Sequence, residues 1–379
     1  MGFFGKSARN VAVIDIRSSS VGAAYATVDA HNVPRIAHSV RVPLDPHATE
    51  PLSETLPRTL EAALTALVSE GAPRLRALSG RGSVDEVVAT FSSPWQTSVV
   101  ASRSVANDKE FVFTKQLLAK ALAEGAADME GKTRVSEMVI ATLLNGYEVQ
   151  NPFGKRVRRA ELIILSSFVD TAVMELATKA IRKAFHRHHI RFNAYLPESF
   201  TALRDLYPHQ RDFLVVDVSG EATDIMLVKH GLVVSMTSMP HGVNEIARAA
   251  RSVGFSSPAV PTGETDGIIK SDNNASFGSR VAEVEMAWIG FMRECLSAIA
   301  KQEPLPRTVL LIAEENVREF LRRLIDAPDL RSLWLTEEPL GILPVLPSQF
   351  SGPLGIDDPS AIDPMLALLS IGGTTHDYA

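Results

Sequence analysis

Two segments of this 379-residue chain, about 200 residues apart, follow one plan: an apolar run ends in an aspartate, a polar turn follows, and a second apolar run leaves it. The first is Val11 to Ile16 (VAVIDI), turning through Asp15-Ile16-Arg17-Ser18-Ser19-Ser20 into Val21 to Val28. The second is Asp212 to Asp217 (DFLVVD), turning through Ser219-Gly220 into Asp224 to Val228 and Leu232 to Thr237. Short apolar runs bounded by turn residues read as strands, so each segment predicts a β-hairpin with an acid at its tip. A plan repeated within one chain predicts two similar halves. Two such tips suit a nucleotide phosphate held between two lobes: each aspartate can hold magnesium-bound water, and turn N–H groups can point at phosphate oxygens. The candidate phosphate-binding residues are Asp15, Arg17, Ser18 and Ser19 in the first tip and Asp217, Ser219, Gly220, Glu221 and Asp224 in the second, with Asp15 and Asp217 facing magnesium if ATP binds. Glycines matter there because a side chain blocks close approach of the backbone.

Between and after the hairpins, strands alternate with helices. Helical spacing runs over Ser53 to Glu70, Phe111 to Glu124 and Asp170 to Phe185; strand patterns cover Val84 to Ser92, Val135 to Leu144 and Arg159 to Ser167. Ser256 to Ser276, rich in Pro, Gly, Asp and Asn, reads as a loop before a helix over Val281 to Lys301, a buried strand at Thr308 to Ala313, and helices at Glu315 to Asp326 and Met365 to Ser370. Alternation of this kind predicts an α/β fold with helices flanking mixed sheets. The expected division is a first lobe over 1–83, an inserted α/β subdomain over 84–190, a return and linker over 191–211, and a second lobe over 212–379 with a reduced outer part at about 240–305.

On these residues the chain resembles the actin-like ATPase superfamily, in particular the cell-division FtsA and pilus-assembly PilM type. The segment DIRSSSVG (Asp15 to Gly22) stands where the family shows Asp-x-Gly-[Ser/Thr]-Ser-Ser, and DVSGEATD (Asp217 to Asp224) where it shows Asp-x-Gly-Gly-Gly-Thr-x-Asp. NGYEVQNPFGKR (Asn145 to Arg156) is similar to a stretch of the family's extra subdomain, and Pro240-His241-Gly242 before a helix is similar to the segment after its second hairpin. The resemblance implies a two-lobed actin-like, ribonuclease H-like fold with an insert in the first lobe. It also implies ATP and magnesium as cofactors where the motifs are intact. The implied partners are proteins of the division or pilus machinery, a homo-oligomer or filament, and a peripheral membrane contact.

The departures share a direction. Arg17 stands at the first hairpin's glycine position; Ser219, Glu221 and Ala222 replace two glycines and the threonine of the second; and Ala313-Glu314-Glu315 follow the strand where small glycines would contact adenosine. Glu221 is expected close to a polyphosphate, where like charges repel. Glu314 is expected where a purine would lie. Arg17 can serve as a phosphate clamp or fill an empty cleft by pairing with Glu221 or Asp15. The expectation is therefore a cytoplasmic, non-enzymatic scaffold at the inner membrane face. The alternative is a nucleotide-binding ATPase that polymerises and tethers division filaments to the membrane.

Composition narrows the rest. With 38 basic and 44 acidic residues the net charge is −6, which gives no global pull toward nucleic acid. One cysteine, Cys295, excludes an internal disulfide and a Cys-rich zinc site. The start, Met1-Gly2-Phe3-Phe4-Gly5-Lys6, turns polar too quickly for a signal peptide. Trp288, Phe291 and Cys295 form a helical stripe expected in the core, and His186, His188 and His189 read as a solvated helix end. The run Lys155, Arg156, Arg158, Arg159 beside Phe153 reads as a solvated loop, with docking of an acidic peptide or anionic lipid as the second reading.

Overall fold

The structure, a computed structural model, describes residues 9–29, 33–45, 50–123, 128–149, 151–186, 189–252, 273–334, 338–355 and 362–375. The first lobe is built on β1 (Arg9–Ile16), β2 (Ser20–Val28) and β3 (Pro34–Pro43), followed by α1 (Leu52–Ala66), a π-helical turn at Leu67–Gly71, α2 (Ala72–Ser79) and β4 (Glu86–Phe91). The chain then leaves the sheet through β5 (Gln96–Val112), α3 (Lys115–Ala123), β6 (Lys132–Leu144), β7 (Tyr147–Glu148) and β8 (Arg156–Asp170). It returns by α4 (Thr171–Phe185), β9 (His189–Ala194) and α5 (Tyr195–Leu206). The second lobe holds β10 (Phe213–Val218), β11 (Thr223–Lys229), β12 (Leu232–Met239), α6 (Val243–Ser252), α7 (Asn273–Ala300), β13 (Thr308–Ile312), α8 (Glu315–Ile325), α9 (Pro328–Arg331) and β14 (Gly341–Pro344). The last described helix is α10 (Pro364–Thr375).

The duplication is complete at the level of topology. One sheet has the order β3-β2-β1-β4-β9 and the other β12-β11-β10-β13-β14; a third, β5-β8-β6-β7, lies in the chain between β4 and β9. In both lobes a three-stranded antiparallel meander is followed by parallel strands. Parallel pairing beside the central strand demands a helical crossover, which α1–α2 and α6–α7 supply.

Strand periodicity sets which core each residue joins. Val11 and Val13 of β1 face a core shared with Phe213 and Val215 of β10. Ala12, Ile14 and Ile16 face the outer helices with Leu56, Leu60 and Ile181. Leu214 and Val216 face Trp288 and Phe320. Both central strands are thus buried on two faces, which is why they read as unbroken apolar runs. The apolar α10 enters the shared core through Leu366, Leu368 and Leu369 and packs on α5, β1 and β3 of the first lobe. A methyl group at Gly372 would lie 2.1 Å from the Glu198 carbonyl oxygen, so this glycine lets α10 cross α5 at close range.

Three expectations need correction. The helix expected from Phe111 begins at Lys115, because β5 runs on to Val112. That strand pairs antiparallel with β8, and its mostly polar, half-exposed sequence carries little apolar signal. The helix expected over Ser53 to Glu70 continues as a helical column to Ser79. Phe291 is 40% exposed rather than in the core, and stacks on His241 with ring centroids 3.9 Å apart. The loop expected over Ser256 to Ser276 falls largely outside the described residues, as do the amino-terminal start and His188; Asn273 already opens α7.

Candidate functional site: the meeting of the two hairpin tips

The β1–β2 and β10–β11 tips meet across the interlobe cleft. Each is a tight turn: Arg17 N–H donates to the Ser20 carbonyl at 3.0 Å, and Ser219 N–H to the Ala222 carbonyl at 2.9 Å. Asp15 pairs with Gly22 and Asp217 with Asp224, so both acids hold equivalent places in their hairpins.

The two tips are bonded to each other. Ser18 N–H donates to Ser219 Oγ at 3.1 Å, the two hydroxyls lie 3.0 Å apart, and Glu221 N–H donates to Ser18 Oγ at 2.9 Å. A methyl group on Gly220 would stand 2.5 Å from the Ser18 carbonyl oxygen. Backbone therefore fills the space between the tips. Gly242 is equally confined: a methyl group there would come within 2.3 Å of the Gly220 carbonyl oxygen.

Arg17 crosses the cleft. Its Nη2 donates to Asp217 Oδ1, both side chains are fully buried, and its guanidinium lies 4.7 Å from the centre of the Tyr195 ring. The pairing expected with Glu221 or Asp15 is thus corrected: Asp217 is the partner, because Arg17 projects straight across to the second tip. Asp15 instead accepts from Arg41 Nη2 at 2.8 Å, and Arg41 also binds Asp363 and, at 2.9 Å, the Ser20 hydroxyl. Burial raises the Asp15 carboxyl above its ordinary value, against the pull of Arg41 and Arg17. Burial likewise pushes Asp217 up to about 7, against the pull of Arg17.

The expectation that Glu221 faces the phosphate position is also corrected. It turns outward, taking a two-pronged contact from Arg248 at 2.8 and 2.9 Å and a hydrogen bond from Asn244 at 2.8 Å. Partial burial raises this carboxyl, but these donors outweigh it and hold the group below the usual range. Asp224 accepts from Ser93 N–H at 3.2 Å and from the Ser93 and Ser238 hydroxyls. Ser19 points to the Ser20 hydroxyl at 3.4 Å. Glu314 accepts from Ser20 Oγ at 3.0 Å and lines a cavity of about 860 Å³ with Arg41, Glu315, Asn316 and Asp363, beside the closed tips.

These residues do not fit a magnesium-bound polyphosphate as they stand. The acids that would face the metal are each paired with an arginine, and the backbone that would cradle phosphate is bonded to the opposite tip. Among the described residues no group of three potential ligands is arranged to hold a metal ion. Sequence reasoning missed Arg41, Tyr195, Asp363, Arg248 and Asn244. Arg41 and Tyr195 lie in no turn or motif and reach the site through strand register and helix packing; Asn244 and Arg248 sit on the helix after Pro240-His241-Gly242, and Asp363 caps α10. Ser93 was legible only as part of a strand exit.

At the level of sequence no protein-family model matches the chain, and neither does any curated protein. Solved structures do match. A chain of a PilM–PilN type IV pilus biogenesis complex is similar at 14% identity and a TM-score of 0.59, over 97% of both chains. A Bacteroides thetaiotaomicron protein with actin-like ATPase fold and unknown function matches at 10% identity and a TM-score of 0.44, over 97% of this chain and 98% of that one. The ethanolamine utilization protein EutJ from Carboxydothermus hydrogenoformans matches at 10% identity and a TM-score of 0.40, over 96% and 89%. The first likeness, at 14% identity, carries the fold and nothing finer. With the same five-strand order in each lobe and paired aspartate hairpins between them, the chain has the two-lobed fold of the actin-like ATPase superfamily.

Proposed function

We propose that the protein is a non-enzymatic assembly scaffold of the PilM and FtsA kind, working through protein contacts at the inner face of a bacterial membrane. The observation that carries this reading is the tip-to-tip closure of the cleft by Arg17–Asp217 and Ser18–Ser219. A working ATPase needs that space for phosphate and metal. Here an ion pair and backbone occupy that space and join the two lobes.

A second feature supports the docking of a membrane partner's cytoplasmic tail, as a pilus-assembly scaffold requires. A groove of about 600 Å³ runs between the inserted sheet and the second lobe, lined by Leu118, Val139, Val149, Phe153 and Leu232, with Arg204 and Arg211 at its rim. Strand β6 lies along it, and β7 pairs with β6 only at Leu143 and Leu144. An extended segment can add to such an edge while its apolar side chains enter the groove.

Titration with a fluorescent ATP analogue and magnesium tests the scaffold reading. No saturable micromolar binding is expected; binding abolished by Asp217→Ala would overturn it. Negative-stain microscopy separates the processes. Monomers that capture a membrane-protein tail, and lose it on Val149→Asp, support pilus assembly, whereas filaments of stacked subunits support division.

A further inference from the structure

Among the described residues only Trp288 is a larger fully buried side chain than Arg17. Arginine is almost never sealed from water unless its surroundings hold the charge. Here three elements supply those surroundings. Asp217, near the end of β10, accepts from Nη2, and the Val218 carbonyl lies 3.5 Å from the same nitrogen. Tyr195, the first residue of α5, presents its ring 4.7 Å from the guanidinium carbon. Asp15, near the end of β1, is a second acid acting on the group. Burial works against the charge, but Asp217 first and Asp15 next outweigh it and hold the guanidinium above its ordinary value. Asp15, Tyr195 and Asp217 are themselves buried.

Two carboxylates and one aromatic face suit a particular cation. The carboxylates supply charge, and the ring covers the flat, weakly hydrated face of a delocalised cation. One tethered side chain does not exhaust this set. Asp15 Oδ1, Asp217 Oδ2, and the Nε and Nη1 of Arg17 are buried with no hydrogen-bond partner among the described residues. Held through its own backbone in the β1–β2 turn, the guanidinium reaches one acid and leaves acceptors unmet. An untethered guanidinium, free to rotate, can meet both acids. Asp15 lies in the first lobe, Asp217 in the second, and Tyr195 on the helix between β9 and β10, so the set exists only when the lobes meet.

We propose that Asp15, Asp217 and Tyr195 form a guanidinium-selective cage between the lobes, which the chain fills with its own Arg17. Magnesium is a poor occupant, because it demands several oxygen ligands and gains nothing from a ring. The departure at position 17 thus has a chemical content: a planar organic cation, carried by the chain, stands where the hairpin acids converge. The inference rests on the closed-cleft geometry used for the scaffold reading and deepens it.

The test is chemical rescue of the full chain carrying Arg17→Ala, followed by thermal melting. Guanidinium chloride is added well below denaturing concentration, with urea, sodium chloride and magnesium chloride in parallel. Urea has the shape of guanidinium without its charge. The melting temperature of Arg17→Ala should rise saturably by about 2 °C or more with guanidinium, stay level with the other three, and show no such rise in the wild type. Adding Asp217→Asn or Tyr195→Leu to Arg17→Ala should abolish the rise. Absence of rescue would overturn the proposal. So would equal rescue by urea, which would mean a filled hole, equal rescue by magnesium, or rescue that survives Asp217→Asn. If Arg17→Ala does not fold, Arg17→Lys and Arg17→Met decide. Lysine keeps the charge and lacks the flat face, so its variant should melt between the wild type and Arg17→Met; a lysine variant equal to either one would overturn the cage. No nucleotide or partner is present, so failure of rescue leaves tail capture untouched, and failure of tail capture leaves the cage standing.

Discussion

At the scale of single residues, Arg17 decides the character of the cleft. A buried ion pair contributes little net stability when intact, yet removing one partner strands the other in a poorly solvated place. Arg17→Met is therefore expected to destabilise by about 3–5 kcal/mol in urea denaturation near neutral pH. The loss should be smaller at pH 5, where Asp217 can take a proton. Replacing both partners with Arg17→Met and Asp217→Leu should recover much of it, and a double variant as unstable as the single one would refute this account. The pH dependence of the wild type has a definite sign. Asp217 is raised from 3.8 to about 7 by burial, so the folded chain binds the extra proton between those values. Its contribution is fully present below the unfolded value and is lost as pH rises through about 7. Asp363 runs the other way. Burial raises it, but Arg41 and the N–H groups of Leu366 and Met365 outweigh burial and hold it low. Its contribution is present above the ordinary carboxylate value and is lost as pH falls through its folded value. The melting temperature of Asp217→Asn relative to wild type should rise between pH 6 and 8; a constant difference would rule the assignment out.

At the scale of elements, two glycines and one helix cap hold the parts in place. Gly220 and Gly242 sit where backbone meets backbone, so no flexible side chain can move aside for a methyl group. Gly220→Ala is expected to cost about 1–3 kcal/mol or more, as overpacking does, measured by denaturant midpoint. An unchanged midpoint would mean that the tips can separate freely. Asp363 both accepts from the Met365 and Leu366 N–H groups at the start of α10 and binds Arg41. Asp363→Ala removes a cap and one of the two carboxylate partners of Arg41, which keeps Asp15, so a loss of about 1–2 kcal/mol is expected, together with faster amide exchange in α10. The central strands β1, β2, β4, β10, β11 and β13 were legible because strands buried on two faces leave unbroken apolar runs, whereas the outer strands β3, β9 and β14, with partly exposed positions, passed unread. Strand β5 was not legible either, since an edge strand with mostly polar, half-exposed positions lacks that signal. The expectation for Phe291 failed for a related reason: helical spacing places a residue on a stripe but cannot say where a neighbouring helix ends. The histidine of another element, His241, took that ring as its partner.

At the scale of the whole molecule, two lobes with one strand order close on each other through the hairpin tips and through α10, which joins the core shared by both sheets. Because the tips already touch, magnesium and ATP should leave the small-angle scattering profile unchanged. A smaller radius of gyration on adding them would contradict the closed cleft. Among the described residues no helix is long and apolar enough to cross a membrane. The sequence alone determined the α/β class, the duplication and the places of the two aspartates, because strand periodicity and turn chemistry are local and survive in the order of residues. It also named Arg17, Glu221 and Glu314 as departures. Only the tertiary structure decided where those groups point, Arg17 to Asp217, Glu221 outward to Arg248 and Glu314 to the Ser20 hydroxyl, and it alone brought Arg41 of β3 across β2 onto Asp15 of β1. Pairing of buried charges depends on distances of a few ångströms between elements remote in the chain, and no local pattern encodes those distances.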